Sequence, residues 1–251
     1  MIDDPLASTA GEIFAIQKLN VWYTLNIQPS EESMDITKIE KIGMAIKGFI
    51  RREEGLRLYE LSREASLIGP CLEIGSYCGK TAAYIGTGCR ENGGVLFSID
   101  HHRGSEEQQP GEEYFDPDLL DRKTGLIDTF RFFRKTIHDL DLEDTVIPIV
   151  APSEPVARAW CTPLGMVFID GGHTFEAALA DYRCWVTHIL PGGFLAIHDI
   201  FPDPAQGGQA PYHIYNLALE SGLFTELPMV HTLGVLKRKG AFIQNDQREK
   251  G

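Results

Sequence analysis

Residues 71–81 read Cys-Leu-Glu-Ile-Gly-Ser-Tyr-Cys-Gly-Lys-Thr, and this stretch decides the fold. The apolar run Cys71–Ile74 predicts a short buried strand that includes one acid, Glu73. A glycine turn follows over 75–79, and small residues from Lys80 onward predict a helix. Glycine permits a positive φ and a close approach of the backbone to a ligand. The free N–H groups at the start of the helix would face that ligand. Strand, turn and helix in this order therefore predict a pocket for a nucleotide-like ligand.

The glycine spacing narrows the kind of nucleotide site. Gly75 and Gly79 stand in the pattern Glu-x-Gly-x-x-x-Gly. A dinucleotide fingerprint would read Gly-x-Gly-x-x-Gly, and a P-loop would read Gly-x-x-x-x-Gly-Lys-Ser/Thr, one residue longer than this turn. A second acid, Asp100, closes the next apolar strand, 95–99. Because a carboxylate about 20 residues past such a turn can accept both hydroxyls of a ribose, the pattern favours an adenosine-containing ligand.

Taken together, residues 71–100 resemble motifs one and two of class I S-adenosylmethionine-dependent methyltransferases. The resemblance implies that Glu73 lies near the amino-acid end of the cofactor and that Asp100 binds its ribose. It implies further cofactor contacts along the turn and the start of the helix, and just beyond Asp100: Gly75, Ser76, Tyr77, Gly79, Lys80, Thr81 and His101. It also implies an α/β fold of the Rossmann-like, doubly wound kind, with a seven-stranded, mostly parallel sheet that contains one reversed strand.

Composition limits the possible partners and the compartment. The 251 residues are 43% hydrophobic and 24% charged, which is typical of a globular protein. The net charge of −13 argues against a nucleic-acid partner, because phosphate backbones attract basic surfaces. No apolar run approaches the length of about 18 residues that a membrane helix needs. The five cysteines contain no Cys-x-x-Cys pair, and the first residues show no signal peptide. We therefore expect a cytoplasmic protein that binds no membrane.

The chain divides into three predicted parts. Residues 1–68 carry helical patterns and are predicted to form an N-terminal helical extension. Residues 69–240 alternate strand and helix, which predicts a parallel sheet with helices on both faces and the cofactor site. Two apolar runs close this domain, Phe224–Val230 and 232–238, and predict an antiparallel hairpin. Residues 241–251 are predicted to be a tail.

The extension is predicted to contain three helices, over 9–26, 35–50 and 52–67. It would either cover the active site or form the interface of a homo-oligomer, and the sequence does not separate these two roles. Residues 101–127 lack clear periodicity, and loops longer than about 12–15 residues are usually functional or disordered. Because this one begins directly after Asp100 and is rich in His, Glu and aromatic residues, we predict a substrate-binding or lid loop.

A second group of chemical residues follows two later strands. The apolar run 165–169 ends in Asp170, and Gly-Gly-His173 comes next. After one predicted helix, the run 193–197 ends in His198-Asp199. Open α/β sheets bind ligands at the carboxyl ends of their strands, so these side chains are expected to converge. Two carboxylates suit Mg²⁺, Ca²⁺ or Mn²⁺, and an imidazole is tolerated by Mn²⁺, iron or Zn²⁺. We therefore predict a divalent-metal site at Asp170, His198 and Asp199.

This second group resembles the metal site of catechol-type O-methyltransferases, in which an aspartate after strand four and an acid–amide pair after strand five hold magnesium. Asp170 matches the first position, whereas His198 and Asp199 fall on the pair with His in place of the acid. The longer pattern over 169–199 is closer to macrocin-type sugar O-methyltransferases and cephalosporin-hydroxylase-like proteins. The resemblance also implies that Ser153 contacts the adenine; capping the following helix is its alternative role.

The leading hypothesis is transfer of the methyl group of S-adenosylmethionine to an oxygen of a small-molecule acceptor. Asp170 would serve the cofactor, the metal and catalysis. The acceptor hydroxyl would be activated by the metal or by His173 acting as a general base. Nitrogen and sulfur acceptors stay open. One rival is a regulatory or accessory protein that binds S-adenosylmethionine without turnover. Another is a nucleotide-dependent oxidoreductase, which the missing third glycine disfavours.

Overall fold

The computed structural model describes residues 45–172 and 174–240. The predicted helix 9–26 and the tail 241–251 lie outside the described residues, as does most of the predicted helix 35–50. Its last six residues, 45–50, are described: Ala45 is helical, and 46–50 form no helix. They include Gly48, a residue that disfavours helix interiors. The three-part division of the chain stays a prediction.

The described residues form six α-helices and nine strands. The helices are α1 (Arg52–Ala65), α2 (Lys80–Arg90), α3 (Phe130–Asp139), α4 (Ser153–Ala157), α5 (Phe175–Trp185) and α6 (Ala210–Glu220). The strands are β1 (Cys71–Ile74), β2 (Leu96–Ile99), β3 (Leu120–Asp121), β4 (Leu126–Ile127), β5 (Val146–Ile149), β6 (Leu164–Ile169), β7 (Ile189–Ile197), β8 (Phe224–Val230) and β9 (Leu233–Arg238). In this part of the chain, no helix is both long and apolar enough to cross a membrane.

The main sheet confirms the predicted fold class. Its seven strands lie in the order β5-β2-β1-β6-β7-β9-β8. The pairs from β5 to β7 are parallel, whereas β9 runs antiparallel to both β7 and β8. The sheet therefore has one reversed strand, and β8–β9 is the predicted hairpin. Because β1, β2, β6 and β7 are parallel neighbours, their carboxyl ends lie at one edge of the sheet.

Apolar side chains cover both faces of the sheet. One core contains Leu58 of α1 and Phe133 of α3 together with Phe168 of β6. The other contains Trp185 of α5 together with Leu195 of β7. The strands are continuous apolar runs because both of their faces are buried. Helix α1 shares the first core with the sheet, so the start of the described chain is packed against the domain.

Helices α1 and α2 approach each other closely at glycines. A Cβ atom on Gly88 would lie 2.1 Å from the hydroxyl oxygen of Ser62. A Cβ atom on Gly55 would lie 2.4 Å from the ring of Tyr84. Only glycine allows the two helices this separation, and the close packing fixes where the first turn of α1 lies.

One difference from the predicted element bounds is the start of β7. This strand begins at Ile189, whereas the sequence predicts a start at residue 193. Its pairing with β6 shifts register between Leu164 and Met166, and Gly192 adopts a φ of +84°. Such an irregularity lets a strand continue through residues that look like a turn.

The predicted irregular segment 101–127 is confirmed as mostly non-repetitive. It contains two short 3-10 turns, Glu106–Gln108 and Pro117–Leu119, and the two-residue strands β3 and β4 pair with each other.

Candidate functional site

The glycine turn between β1 and α2 has a left-handed backbone at three positions. Gly75 adopts a φ of +86°, Tyr77 one of +48° and Gly79 one of +87°. A Cβ atom on Gly75 would lie 2.0 Å from the carbonyl oxygen of Asp170, which no side chain could tolerate. The turn therefore touches the end of β6, and the two groups of residues that the sequence singles out meet at one edge of the sheet.

Asp100 holds this turn in place. Its Oδ2 accepts hydrogen bonds from the backbone N–H groups of Ser76 at 3.0 Å and Tyr77 at 2.8 Å. Its Oδ1 accepts one from the N–H of His102 at 2.7 Å. Because a carboxylate can accept about four hydrogen bonds, acceptor capacity remains for a ligand hydroxyl. The structure thus gives Asp100 a structural task beside the predicted contact with ribose.

Glu73 is fully buried behind the turn. Its Oε1 accepts a hydrogen bond from the Ser98 hydroxyl at 2.6 Å. Its Oε2 and the hydroxyl of Ser76 have no hydrogen-bond partner among the described residues. Buried polar atoms almost always have partners, so these two indicate a polar ligand that fits here. The amino-acid end of S-adenosylmethionine has the ammonium and carboxylate groups that such a site needs.

The pKa of Glu73 is raised to about 8, mainly by burial and further by the negative charges of Asp170 and Asp100. Hydrogen bonds from Ser98 and Thr81 lower the pKa but do not offset the rise. Glu73→Gln is therefore expected to flatten the pH dependence of the free energy of unfolding. Between pH 4.5, the ordinary pKa, and about 8, the folded protein holds a proton that the unfolded chain has released. Stability consequently falls as pH rises through this window.

Because glutamine does not titrate, the Glu73→Gln variant should gain stability over the wild type at pH 8, on the order of a few kcal/mol. Urea unfolding at about pH 5, 6.5 and 8 measures the slope. The control variant Glu60→Gln, at an exposed glutamate of α1, should keep the wild-type slope. If the free energy of unfolding changed with pH equally in the wild type and in Glu73→Gln, the raised pKa of Glu73 would be contradicted.

The remaining predicted cofactor residues lie around the turn. The ammonium group of Lys80 donates to the carbonyl of Gly48 at 3.3 Å, and Thr81 is buried in the first turn of α2. His101 is exposed, and its Nδ1 accepts a hydrogen bond from a backbone N–H group. Ser153 is the first residue of α4 and does not cap it, so the alternative role is wrong. Its hydroxyl accepts from the indole N–H of Trp185 at 2.7 Å.

His102 is a structural residue that the sequence did not indicate. Its ring is buried, and Nδ1 lies 2.7 Å from the hydroxyl oxygen of Thr129. The ring also packs against Phe130 and Phe133. His102 therefore ties the start of the 101–127 segment to the helix that follows it. No local pattern distinguishes it from its neighbour His101.

The structure brings Asp170, His198 and Asp199 together. The Nδ1 atom of His198 lies 3.2 Å from Oδ1 of Asp170 and 3.5 Å from Oδ1 of Asp199. One potential ligand atom from each residue lies within 4.8 Å of the others, as a shared cation requires. Asp199 adopts a φ of +56°, and strained backbone of this kind clusters at functional sites.

Glu54 of α1 completes this group and was missed by the sequence analysis. Its Oε2 lies 3.3 Å from Nε2 of His198, and its side chain is fully buried. Its Oε1 accepts from both the N–H and the hydroxyl of Thr232, each at 2.9 Å. One signal could have found it, since Glu54 occupies the same helical face as Leu58 and Leu61.

Three carboxylates thus surround one imidazole. Burial by itself would lower the pKa of His198, but the charge of Asp170 and hydrogen bonds to Asp170, Asp199 and Glu54 raise it to about 12. Burial by itself would raise the pKa of Glu54, but hydrogen bonds from His198 and the N–H of Arg51 lower it to about 2. The site is therefore an anionic environment that stabilises positive charge between Asp170 and Asp199.

His173 lies outside the described residues. The next residue, Thr174, caps α5 by accepting the N–H of Ala177 at 3.2 Å. The predicted catalytic role of His173 stays a prediction.

Comparison with known proteins shows the family. Residues 72–200, just over half of the chain, match a family model described as a methyltransferase domain. The fold is similar to that of an S-adenosylhomocysteine-bound methyltransferase from Podospora anserina, with a TM-score of 0.57, 13% identity, and coverage of 96% of this chain and 99% of the other. An O-methyltransferase from Bacillus cereus in complex with S-adenosylhomocysteine gives a TM-score of 0.55 at 15% identity, covering 90% and 99%.

A third solved structure is the O-methyltransferase TomG from Streptomyces achromogenes, involved in tomaymycin synthesis, in complex with S-adenosylmethionine. It gives a TM-score of 0.55 at 13% identity, covering 89% of this chain and 96% of that one. The family match spans the glycine turn, Asp100 and the Asp170–Asp199 group, all of which the geometry places at one sheet edge. The chain belongs to this methyltransferase family and is an S-adenosylmethionine-dependent methyltransferase.

Proposed function

We propose that this enzyme methylates a hydroxyl oxygen of a small molecule with the help of a divalent metal ion. The observation that carries the proposal is the contact between Gly75 and Asp170, which joins the cofactor turn to the cluster of acids and imidazole. The solved structures named as O-methyltransferases have the same fold and support the choice of oxygen as acceptor. The motif over 169–199 supports a place near the macrocin-type sugar O-methyltransferases.

S-adenosylmethionine, when bound, supplies a methyl group on a positively charged sulfur. The turn 75–79 and the first residues of α2 would hold it, with Glu73 and the Ser76 hydroxyl at its amino-acid end. Asp100 would accept the ribose hydroxyls while it holds the turn, and Ser153 would lie on the adenine side. These residues act by orientation, because methyl transfer needs the acceptor in line with the bond that breaks.

A divalent metal, when bound, supplies a Lewis acid that lowers the pKa of a coordinated hydroxyl. Asp170 and Asp199 offer carboxylate oxygens, and Nδ1 of His198 faces both of them. The donor set therefore fits a cation. Its one nitrogen favours Mn²⁺, Fe²⁺ or Zn²⁺ over Mg²⁺, which prefers an all-oxygen environment. His173, three residues after Asp170, would accept the proton of the acceptor hydroxyl as a general base.

An aromatic cluster supports the 101–127 segment as the acceptor-binding loop. Tyr114 of this segment packs edge-on against Phe49 at 5.4 Å, and Phe49 packs against Tyr77 of the cofactor turn at 5.5 Å. Lys47 donates to Asp116 at 2.5 Å and holds the segment near the same place. Phe49 and Tyr114 are large aromatic side chains that are nevertheless exposed. Exposed aromatic residues of this kind are expected to line the opening of a small-molecule binding site.

Tyr114→Ala is expected to raise the KM for the acceptor by up to about 10-fold, since an aromatic contact is worth about 0.5–1.5 kcal/mol. The Kd for S-adenosylmethionine and kcat should change little. Steady-state kinetics with varied acceptor measures this effect, and Tyr114→Phe, which keeps the ring, should behave like the wild type. An unchanged acceptor KM in Tyr114→Ala would place the acceptor elsewhere.

The direct test of the proposed function is transfer of a labelled methyl group from S-adenosylmethionine to a panel of sugars, phenols and aliphatic alcohols in the presence of Mn²⁺. The labelled products would be identified by NMR as O-methyl compounds. Methylation of matched amines or thiols, with no labelled hydroxyl product, would overturn the assignment to oxygen.

A further inference from the structure

Glu54 fixes one side of the His198 ring. Its Oε2 faces Nε2 of His198 at 3.3 Å, whereas Nδ1 faces the two aspartates. A neutral imidazole carries one N–H group and one lone pair, so a hydrogen bond at one nitrogen decides which nitrogen can bind a metal. The two nitrogens of His198 therefore have different surroundings: Nε2 faces a hydrogen-bond acceptor, and Nδ1 faces the candidate metal ligands.

We propose that Glu54 is a positioning residue that accepts the Nε2–H of His198 and thereby directs the Nδ1 lone pair to the metal between Asp170 and Asp199. This inference rests on the proposed metal site. Metal-binding histidines usually donate their second N–H to a carboxylate or carbonyl, which orients the ring and makes the ligand more basic. Because a metal ligand must be deprotonated, Nδ1 would bind the metal in place of its proton. The proton on Nε2 would stay on the imidazole and keep its hydrogen bond to the Glu54 carboxylate.

The Glu54 carboxylate is itself held rigidly. Its Oε2 also accepts the N–H of Arg51 at 2.9 Å, at the start of α1. Its Oε1 accepts both the N–H and the hydroxyl of Thr232, between β8 and β9. Two parts of the chain that are far apart in sequence therefore orient one carboxylate towards one imidazole. A glutamate that served only to begin a helix would not need to be fully buried or to contact His198, the residue after β7.

Glu54, which contacts His198, and Thr232, which holds Glu54, both lie outside the segment that the methyltransferase family model matches, residues 72–200. His198 lies inside that segment, at the position where the catechol-type pattern has an acid. Helix α1 thus supplies the carboxylate that a histidine at this position requires, and Thr232 of the β8–β9 turn holds that carboxylate in place. We infer that the imidazole and its carboxylate partner form one unit of the site.

The first test measures metal affinity with Glu54→Gln in the full-length protein. Calorimetric titration of the chelator-treated protein with Mn²⁺ should show binding that is about 10–100-fold weaker than in the wild type, the usual cost of losing an outer carboxylate. The matched control is Glu53→Gln, because Glu53 is the exposed neighbour in the same helical turn and should leave the affinity unchanged. Circular dichroism and the affinity for S-adenosylhomocysteine report whether each variant is folded.

The outcomes separate the two claims. Wild-type protein that binds no metal would refute the proposed metal site, and the role of Glu54 would fall with it. Metal binding by the wild type together with an affinity for Glu54→Gln within about twofold of it would overturn the role of Glu54 alone, because a carboxylate partner is worth at least about 10-fold.

A second measurement needs no substitution at Glu54. Nitrogen-15 NMR of the histidine rings in Zn²⁺-loaded wild type distinguishes a metal on Nδ1 from a metal on Nε2, and the His198 signals are assigned by their loss in His198→Gln. We expect a proton on Nε2 and zinc on Nδ1. Zinc on Nε2, or a proton on Nδ1 in the loaded protein, would overturn the proposal even if Glu54→Gln fails to fold.

Discussion

Gly75→Ala is expected to abolish detectable binding of S-adenosylmethionine, with a loss of affinity of at least about 100-fold. The added Cβ would lie 2.0 Å from the carbonyl oxygen of Asp170, and the position has a φ of +86°. Either the turn or the end of β6 must move, and both carry residues of the site. Isothermal calorimetry measures the affinity, and urea unfolding measures the accompanying loss of stability, which overpacking and strain put at about 1–3 kcal/mol or more.

Gly111→Ala is the matched control for backbone strain. Gly111 has a similar φ of +99°, but a Cβ atom there would meet nothing within 4 Å. This variant should lose a little stability and keep the affinity for S-adenosylmethionine. If Gly75→Ala bound the cofactor as tightly as Gly111→Ala does, the turn would not be the binding element.

Asp199→Gly is expected to lower kcat by about 100–1,000-fold and to remove metal binding, because a Lewis-acid contribution is worth several kcal/mol. Glycine is the appropriate substitution, since Asp199 has a φ of +56° that glycine adopts without strain. The KM for S-adenosylmethionine should change little. Steady-state kinetics and Mn²⁺ titration of the same preparation measure both effects.

Asp141→Gly controls for the backbone change. Asp141 has a φ of +54°, is exposed, and lies in the turn between α3 and β5, before the amino end of a sheet strand. The kcat of the Asp141→Gly variant should equal that of the wild type. Methyl transfer that resists chelators and survives Asp199→Gly would rule out the metal-assisted route and leave His173 as the proposed base.

Much of the fold follows from local sequence patterns. An apolar run that meets a glycine turn predicted β1 with its observed bounds and the start of α2 at Lys80, and two adjacent apolar runs predicted the β8–β9 hairpin. The start of β7 was missed because Pro191, Gly192 and Gly193 resemble a turn. Only the pairing of this strand with β6 shows that it continues through them.

The candidate site was predictable where its residues follow strands. Asp170 and His198-Asp199 were expected to meet because parallel strands end at one edge of a sheet, and the structure places them together. Glu54 was not predictable in this way, because its contact with His198 spans 144 residues of sequence. It depends on how α1 packs across α2 through Gly55 and Gly88, which is a tertiary property.

The central claim is that the cofactor turn and the Asp170–Asp199 group serve one reaction at one sheet edge. The most direct measurement is the effect of Mn²⁺ on the NMR signal of S-adenosylmethionine labelled with carbon-13 in its methyl group and bound to the protein without acceptor. Paramagnetic Mn²⁺ at the predicted site should strongly broaden the methyl signal in the wild type and leave it sharp in Asp199→Gly. A methyl signal that stays sharp in wild-type protein, with cofactor and Mn²⁺ both bound, would contradict the account.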